Sequence, residues 1–153
     1  ARRVTGDQYD FFSIDYELES GVHIQSMSRQ IDGCVNDISQ WIIGTRGFTN
    51  CQDTIFNLQG EPVWKSEGEG ERSSYVQEHV NLVTAIRNGE PLNQAEVTAK
   101  STLGAIMGRE SAYTGLEVTW DQMMESEMRL GPTEYEFGPV GIEATVPVPG
   151  SEG

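Results

Sequence analysis

The sequence predicts an α+β domain in which the strands come first and the helices follow. The first half alternates apolar and polar residues with the period of two that is typical of strands. The second half repeats its apolar residues at helical spacing. Residues 66–74, SEGEGERSS, contain no apolar side chain, so we expect a solvated loop between the halves. Short turns join the strands, which predicts antiparallel pairing in a sheet of about five or six strands.

The first two strands are predicted to form a hairpin. Apolar side chains of residues 12–18 fall on one face of an extended chain, and polar side chains fall on the other. The apolar face consists of Phe12, Ile14, Tyr16 and Leu18. Ser20-Gly21 supplies the turn, and residues 21–30 return as the second strand.

Four shorter strands are expected to complete the sheet. The segment SQWIIGT, residues 39–45, is β-branched and aromatic, which favours a more buried strand. A turn at residues 44–47 leads to strands near 48–51, 54–58 and 63–65. A further short edge strand is expected at Val118.

The helices are predicted from capping patterns and from their glycine stops. Residues 74–77, 93–96 and 119–122 each have the spacing of a capping box. The first helix is expected to end at Gly89, since Pro91 prevents continuation, and the second to end near Tyr113 before Gly115. The third is expected to end near Met128.

The second helix carries small residues where long side chains are usual. Gly104 and Gly108 lie one turn apart, although glycine inside a helix costs about 1 kcal/mol relative to alanine. This pattern predicts that a helix or the sheet approaches the helix backbone closely. Residues 1–130 are interpreted as the α+β domain. The proline-rich residues 131–153 are interpreted as an extended tail that wraps a surface or a partner subunit.

Charge and cysteine content limit the partners. The net charge of −14 disfavours nucleic acid and anionic membranes as partners. Cys34 and Cys51 form no C-x-x-C pair and have no histidine at metal-ligand spacing, so no metal site is predicted. Two free thiols are favoured over a disulfide, which the positions of the cysteines near strand ends also permit.

The sequence lacks the common catalytic and phosphate-binding motifs. It contains no G-x-G-x-x-G, G-x-x-x-x-G-K-[ST], G-x-S-x-G or H-E-x-x-H motif. His23 is interpreted as a surface residue of the second strand. His79, one turn into the first helix and four residues after Tyr75, is either a helix residue beside the apolar stripe or a polar group facing a ligand. Arg29 and Asp32 precede Gly33 at a strand end, where they form either a structural ion pair or a ligand contact.

Residues 75–121 resemble the C-terminal domain of the Gfo/Idh/MocA oxidoreductase family. The features that carry the resemblance are IRNG at 86–89 followed by Pro91 and Asn93, ST at 101–102, GR at 108–109, YTG at 113–115 and VTW at 118–120. The upstream hairpin with Gly21 and the turn at 44–47 occur in the expected order, so the resemblance covers roughly residues 3–139.

The resemblance implies one half of a two-domain enzyme. A Rossmann domain binds NAD or NADP, and the C-terminal domain closes the substrate site. The C-terminal domain is an open, mainly antiparallel sheet with two long helices packed on one face, and the sheet often forms the interface of a homo-oligomer. The family transfers a hydride between nicotinamide and a sugar, polyol or related hydroxyl compound, and some members are NAD-dependent glycosidases. The other alternative is a non-catalytic carbohydrate-binding or interaction module.

The sequence departs from the family at its catalytic motifs. The family's lysine motif and its Asp-x-x-x-His pair are absent, because position 75 is Tyr rather than Asp and Glu19 is separated from His23 by a turn. We therefore expect the Rossmann domain and the catalytic residues upstream of residue 1. No catalytic or cofactor-binding residue is assigned here, and this chain alone is expected to be inactive. The substrate-side candidates are Arg29, Asp32, Tyr75 and His79.

Overall fold

The computed structural model describes residues 6–68, 73–132, 134–138 and 145–150. The chain divides into two compact units, residues 33–93 and residues 1–32 with 94–153. The described residues contain six strands and three helices: β1 (Phe11–Glu17), β2 (His23–Arg29), β3 (Ile42–Gly44), β4 (Gly47–Thr49), β5 (Thr54–Asn57), β6 (Pro62–Lys65), α1 (Ser74–Asn88), α2 (Ala95–Thr114) and α3 (Trp120–Glu125). The α+β class and the order of strands before helices are confirmed.

The hairpin of β1 and β2 begins the first unit. The two strands pair antiparallel, with Phe11 opposite Arg29 and Glu17 opposite His23. The turn closes through a 2.9 Å hydrogen bond from the Leu18 amide to the Val22 carbonyl, and Gly21 takes a φ of 78°. Residues along β1 alternate between exposed and half-buried, as the period of two predicts.

α2 packs on β1 through its small residues. Gly108 is buried, and a β-carbon there would collide with the Tyr16 hydroxyl and come within 3.3 Å of Ile14 Cγ2. The Tyr16 hydroxyl donates a 3.1 Å hydrogen bond to the Gly104 carbonyl oxygen. The predicted close approach to the α2 backbone is therefore confirmed, and the approaching element is a strand.

An aromatic cluster lies where residues before β1 meet the end of α2. The Tyr9 and Tyr113 rings are 4.7 Å apart in an edge-to-face arrangement, and Phe12 lies 5.8 Å from Tyr9. Residues 145–150, which belong to the predicted extended tail, lie against this cluster. The tail residues 133, 139–144 and 151–153 lie outside the described residues, as do residues 69–72 of the predicted acidic loop.

The second unit contains a four-stranded antiparallel sheet in the order β3-β4-β5-β6. Gly44 pairs with Gly47, which leaves Thr45 and Arg46 as a two-residue hairpin loop. A β-carbon on Gly47 would collide with the Phe56 carbonyl oxygen, so this strand pair requires glycine there. The prediction of one sheet differs from the structure, in which the strands form sheets of two and four strands. Residues 30–41, between β2 and β3, form no strand, and the chain passes from one unit to the other there.

The prediction that residues 39–45 form a buried strand is wrong about burial. All three residues of β3 are exposed, and Ile43 is 80% exposed. No hydrophobic side chain is buried anywhere in the described part of the chain. Within the second unit α1 packs on none of the four strands, so the helix of that unit does not cover β3.

Two of the three predicted capping boxes do not form. Ser74, the expected cap of α1, is already the first helical residue, and Ser73 before it makes no side-chain cap bond. The side-chain amide of Gln77 donates to Asn81 Oδ1 at 2.7 Å instead of reaching back to the cap. Gln94, also without a cap bond, precedes α2. The box at Thr119 is confirmed: its hydroxyl accepts from the Gln122 amide at 3.3 Å, and Gln122 Oε1 accepts from the Thr119 amide at 2.8 Å.

The glycine stops of the two long helices are confirmed. Gly89 and Gly115 take φ values of 70° and 73°, which end α1 and α2 in the left-handed region. α3 ends at Glu125, earlier than predicted, and Val118 lies outside any strand. Among the described helices, none is both long and apolar enough to cross a membrane.

Candidate functional site

One face of the four-stranded sheet carries its own group of aromatic side chains, which differs from the cluster around Tyr9 and Tyr113. Phe48 on β4 lies directly opposite Phe56 on β5, and their rings stack at 5.0 Å with an angle of 18°. Trp41, just before β3, lies 5.9 Å from Phe48 and 6.5 Å from Phe56, and its side chain is 54% exposed. Ile43 lies opposite Phe48 and so projects on the same face. We call these four residues the aromatic face.

The opposite face of the same sheet is also apolar. Ile42, Thr49, Ile55 and Trp64 lie opposite one another across the four strands and therefore share a face. Three of the four are large hydrophobic residues, and all three are exposed. Single exposed apolar residues are ordinary on protein surfaces, but a sheet that exposes them on both faces has the character of a candidate docking surface.

The four strands carry little charge, although the chain as a whole has a net charge of −14. No Asp or Glu lies within β3, β4, β5 or β6, and Lys65 is their single charged residue. A partner that lays an apolar surface on this sheet therefore buries no carboxylate of these strands, which avoids a large desolvation cost.

A shallow depression lies on the sheet at the β3–β4 hairpin. Its volume is about 520 Å³, and Arg46 is the one charged residue among the described residues that line it. A depression that opens broadly to solvent cannot enclose most of a small ligand's surface, as ligand pockets usually do. Its shape and its apolar lining suit the side chains of a docking protein surface.

The loop between β4 and β5 is held by its own hydrogen bonds. Asn50 Oδ1 accepts from the amides of Gln52, Asp53 and Thr54 at 3.1 to 3.2 Å. The pKa of the Asp53 carboxyl is lowered from its ordinary value of 3.8. The largest cause is the hydrogen bond from the Asn50 side chain, followed by the hydrogen bond from the Thr54 hydroxyl, and Lys65 adds a smaller effect in the same direction. Since these bonds satisfy Asp53 locally, its role is to fix the loop.

Arg29 and Asp32 both lie near the end of β2 in the first unit. Arg29 is the last residue of β2, opposite Phe11, and Asp32 lies in the turn before Gly33, whose φ is 76°. Both side chains are exposed. The structure therefore presents a guanidinium and a carboxylate at one strand end, where both can contact hydroxyl groups of a ligand.

Tyr75 and His79 lie one turn apart on α1, in the second unit. His79 Nδ1 is 2.6 Å from the Tyr75 carbonyl oxygen, which can only accept, so Nδ1 is the donor nitrogen and Nε2 is the acceptor of the ring's neutral form. The His79 side chain is 75% exposed, and Glu78 Oε1 lies 3.5 Å from Nδ1. His79 is therefore oriented by its own helix and can accept a hydrogen bond from a ligand.

His23 is an exposed surface residue, as predicted. Its Nδ1 lies 3.0 Å from Asp15 Oδ2 across the β1–β2 hairpin. The pair is half exposed on both sides, so it is a surface contact of small energetic weight.

The described residues show no grouping that could hold a metal ion. No cluster of three His, Cys, Asp or Glu side chains occurs among them. Cys34 and Cys51 are both exposed free thiols.

The sequence predicts a homo-oligomer through the sheet, but it did not predict that apolar residues are exposed on both faces of the four-stranded sheet. The signal was present in Trp41-Ile42-Ile43, because consecutive apolar residues place a large side chain on each face of a strand. That pattern was interpreted as burial inside the domain, whereas Trp41, Ile42 and Ile43 are all exposed.

Comparison with known proteins finds no family model, no curated protein and no solved structure that matches this chain.

Proposed function

We propose that this chain is the substrate-side and oligomerisation domain of an NAD(P)-dependent oxidoreductase of the Gfo/Idh/MocA type. In this proposal it works with a Rossmann domain that binds the nicotinamide cofactor. The reaction is hydride transfer to or from a sugar, polyol or related hydroxyl compound. The finer fold, an open sheet backed by the two long helices, is part of the same proposal.

The observation that carries the proposal is the apolar character of both faces of the four-stranded sheet. An antiparallel sheet with one solvated face alternates apolar and polar residues, whereas a sheet covered on both sides is apolar on both. Trp41 and Trp64 lie on opposite faces, and each is 54% exposed. Such a sheet suits a domain that packs helices on one face and a second subunit on the other.

Charge supports a second copy of this chain as the partner of the aromatic face. Two copies that each carry a net charge of −14 repel one another over most of their surfaces. Since β3, β4, β5 and β6 contain no carboxylate, a symmetric contact between two aromatic faces avoids that repulsion locally.

The motifs that the sequence lacks support the assignment of cofactor binding to a separate Rossmann domain and of substrate binding to this chain. No glycine-rich phosphate-binding motif occurs, and the Gly68–Gly70 pair lies among glutamates that repel a pyrophosphate. Arg29, Asp32, Tyr75 and His79 offer donors and acceptors for hydroxyl groups, which suits substrate binding.

The reading frame of the gene tests this proposal. We expect the frame that contains this chain also to encode a βα unit with G-x-G-x-x-G and a Glu-Lys motif. The purified product of that frame should reduce NAD or NADP with a sugar or polyol as substrate. Release of nitrophenol from a nitrophenyl glycoside, without net reduction of the cofactor, would instead assign the glycosidase branch. A frame that encodes no dinucleotide-binding unit would refute the oxidoreductase proposal and favour an interaction module.

A further inference from the structure

Residues 145–150 occupy a defined site on the first unit. The Tyr9 hydroxyl donates a 2.7 Å hydrogen bond to the Pro147 carbonyl oxygen. The Gly150 amide donates to the Thr114 carbonyl oxygen at 3.1 Å, at the end of α2 where the helix leaves carbonyls without helical partners. Pro149 lies against Gly115, where an added β-carbon would come within 2.9 Å of the Pro149 ring. We call residues 145–150 the arm.

The chemistry of this site is that of proline recognition. Aromatic surfaces bind proline-containing segments in an extended conformation, and a hydroxyl or indole donor usually reaches a prolyl carbonyl. Here the Tyr9 ring packs on Tyr113 and its hydroxyl reaches Pro147. The arm contains Pro147 and Pro149, whose fixed φ angles lower the entropy lost when the segment is ordered.

The arm is partly exposed and follows a long connection from α3. Val146 and Pro147 are half-buried, while Val148 is 64% exposed. No helix or strand occurs in residues 126–132 or 134–138, the described part of the stretch between α3 and the arm. When extended at about 3.3 Å per residue, the stretch from 126 to 144 spans roughly 60 Å, which is enough to reach a neighbouring molecule.

We propose that the arm is exchangeable between copies of this chain. In concentrated protein, the arm of one copy occupies the Tyr9–Thr114 site of a second copy, which in turn offers its own arm to the first. The arm, TVPVPG, carries no charge, so the net charge of −14 on the receiving copy does not repel it. Exchange of identical elements forms the same contacts in the dimer as within one chain, so its energetic cost is low. This surface lies outside the sheet and does not depend on the oxidoreductase assignment.

Mixed isotope labelling of the full chain tests the proposal. Equal amounts of ¹³C-labelled and unlabelled chain are mixed, unfolded, refolded together and concentrated for isotope-filtered NMR. We expect cross-peaks between Pro147 protons of one copy and the Tyr9 ring of the other. Cross-peaks that arise only within single copies would overturn the proposal, and so would the absence of any contact between the arm and Tyr9.

A pair of tyrosine variants provides the control. Tyr9→Phe keeps the ring but removes the donor, and the cross-peaks between Pro147 and this ring should weaken within and between copies alike, because both arrangements contain the same hydrogen bond. Tyr135→Phe removes a hydroxyl from a side chain that is 90% exposed and lies outside the site, so the cross-peaks should keep their intensity. Equal intensities in the two variants would contradict the assignment of Tyr9 as the recognition residue.

Discussion

The hydroxyl end of the Tyr16 side chain on β1 occupies the space that a β-carbon on Gly108 of α2 would need. The Tyr16 hydroxyl also donates to the Gly104 carbonyl oxygen, one turn earlier on the same helix. One tyrosine therefore joins the strand to the helix by ring packing and by a hydrogen bond. The two glycines have different roles, because a β-carbon on Gly104 meets no atom within 4 Å.

Gly108→Ala should destabilise the protein. The added methyl group forces Tyr16 and Ile14 to move, and overpacking of this kind costs about 1–3 kcal/mol, which the higher helix propensity of alanine, about 1 kcal/mol, offsets only in part. The free energy of unfolding in urea, followed by far-ultraviolet circular dichroism, measures the effect. A variant as stable as the parent would show that the helix and the strand are not in close contact.

Gly104→Ala is the matched control. The same substitution on the same helix meets open space, so the higher helix propensity of alanine should leave stability unchanged or raise it by up to about 1 kcal/mol. Equal destabilisation by both variants would mean that the helix, rather than its contact with Tyr16, is sensitive to substitution.

Asp53 should make the second unit sensitive to acid. Its pKa in the folded protein lies below the ordinary value of 3.8 because of hydrogen bonds from Asn50 and Thr54. The ionised carboxylate therefore contributes stability above about pH 4, and this contribution is lost as the pH falls through the folded pKa. Asp53→Asn should remove this part of the pH dependence. The difference in unfolding free energy between parent and variant, measured from neutral pH to pH about 2, should shrink on acidification; a constant difference would contradict the assignment.

His79 should contribute to substrate binding in the enzyme that contains this domain and its Rossmann partner. His79→Gln displaces the exposed acceptor nitrogen, and KM for the sugar or polyol should rise about five- to ten-fold, the effect of one hydrogen bond. His23→Gln is the control, because His23 faces Asp15 on the hairpin surface and should leave KM unchanged. Equal KM values for the two variants would remove His79 from the substrate site.

The sequence predicted the elements that depend on local chemistry. The alternation along β1 and the turns at Gly21 and at residues 44–47 follow from side-chain period and glycine conformation, and the structure has them. The ends of the two long helices were placed correctly for the same reason, since Gly89 and Gly115 take the left-handed conformation that few other residues adopt.

Features that depend on longer-range packing were predicted less well. The Ser74–Gln77 pattern has the spacing of a capping box, but the helix begins one residue early and Gln77 bonds Asn81. Strand pairing between distant segments is not encoded in local period, so one sheet was expected where two occur. The apolar residues of β3 predicted burial, whereas all three residues of the strand are exposed, because a local sequence pattern does not specify what packs over it.

Sedimentation most directly tests whether two copies of this chain associate through the aromatic face. We expect the parent chain to sediment as a dimer or larger assembly at tens of micromolar. Ile43→Lys places a charge among Trp41, Phe48 and Phe56 and should shift the chain to monomer. Ile38→Lys is the matched control, since Ile38 is 92% exposed in the loop before the sheet, and it should associate like the parent. A parent chain that remains monomeric at these concentrations would contradict the account.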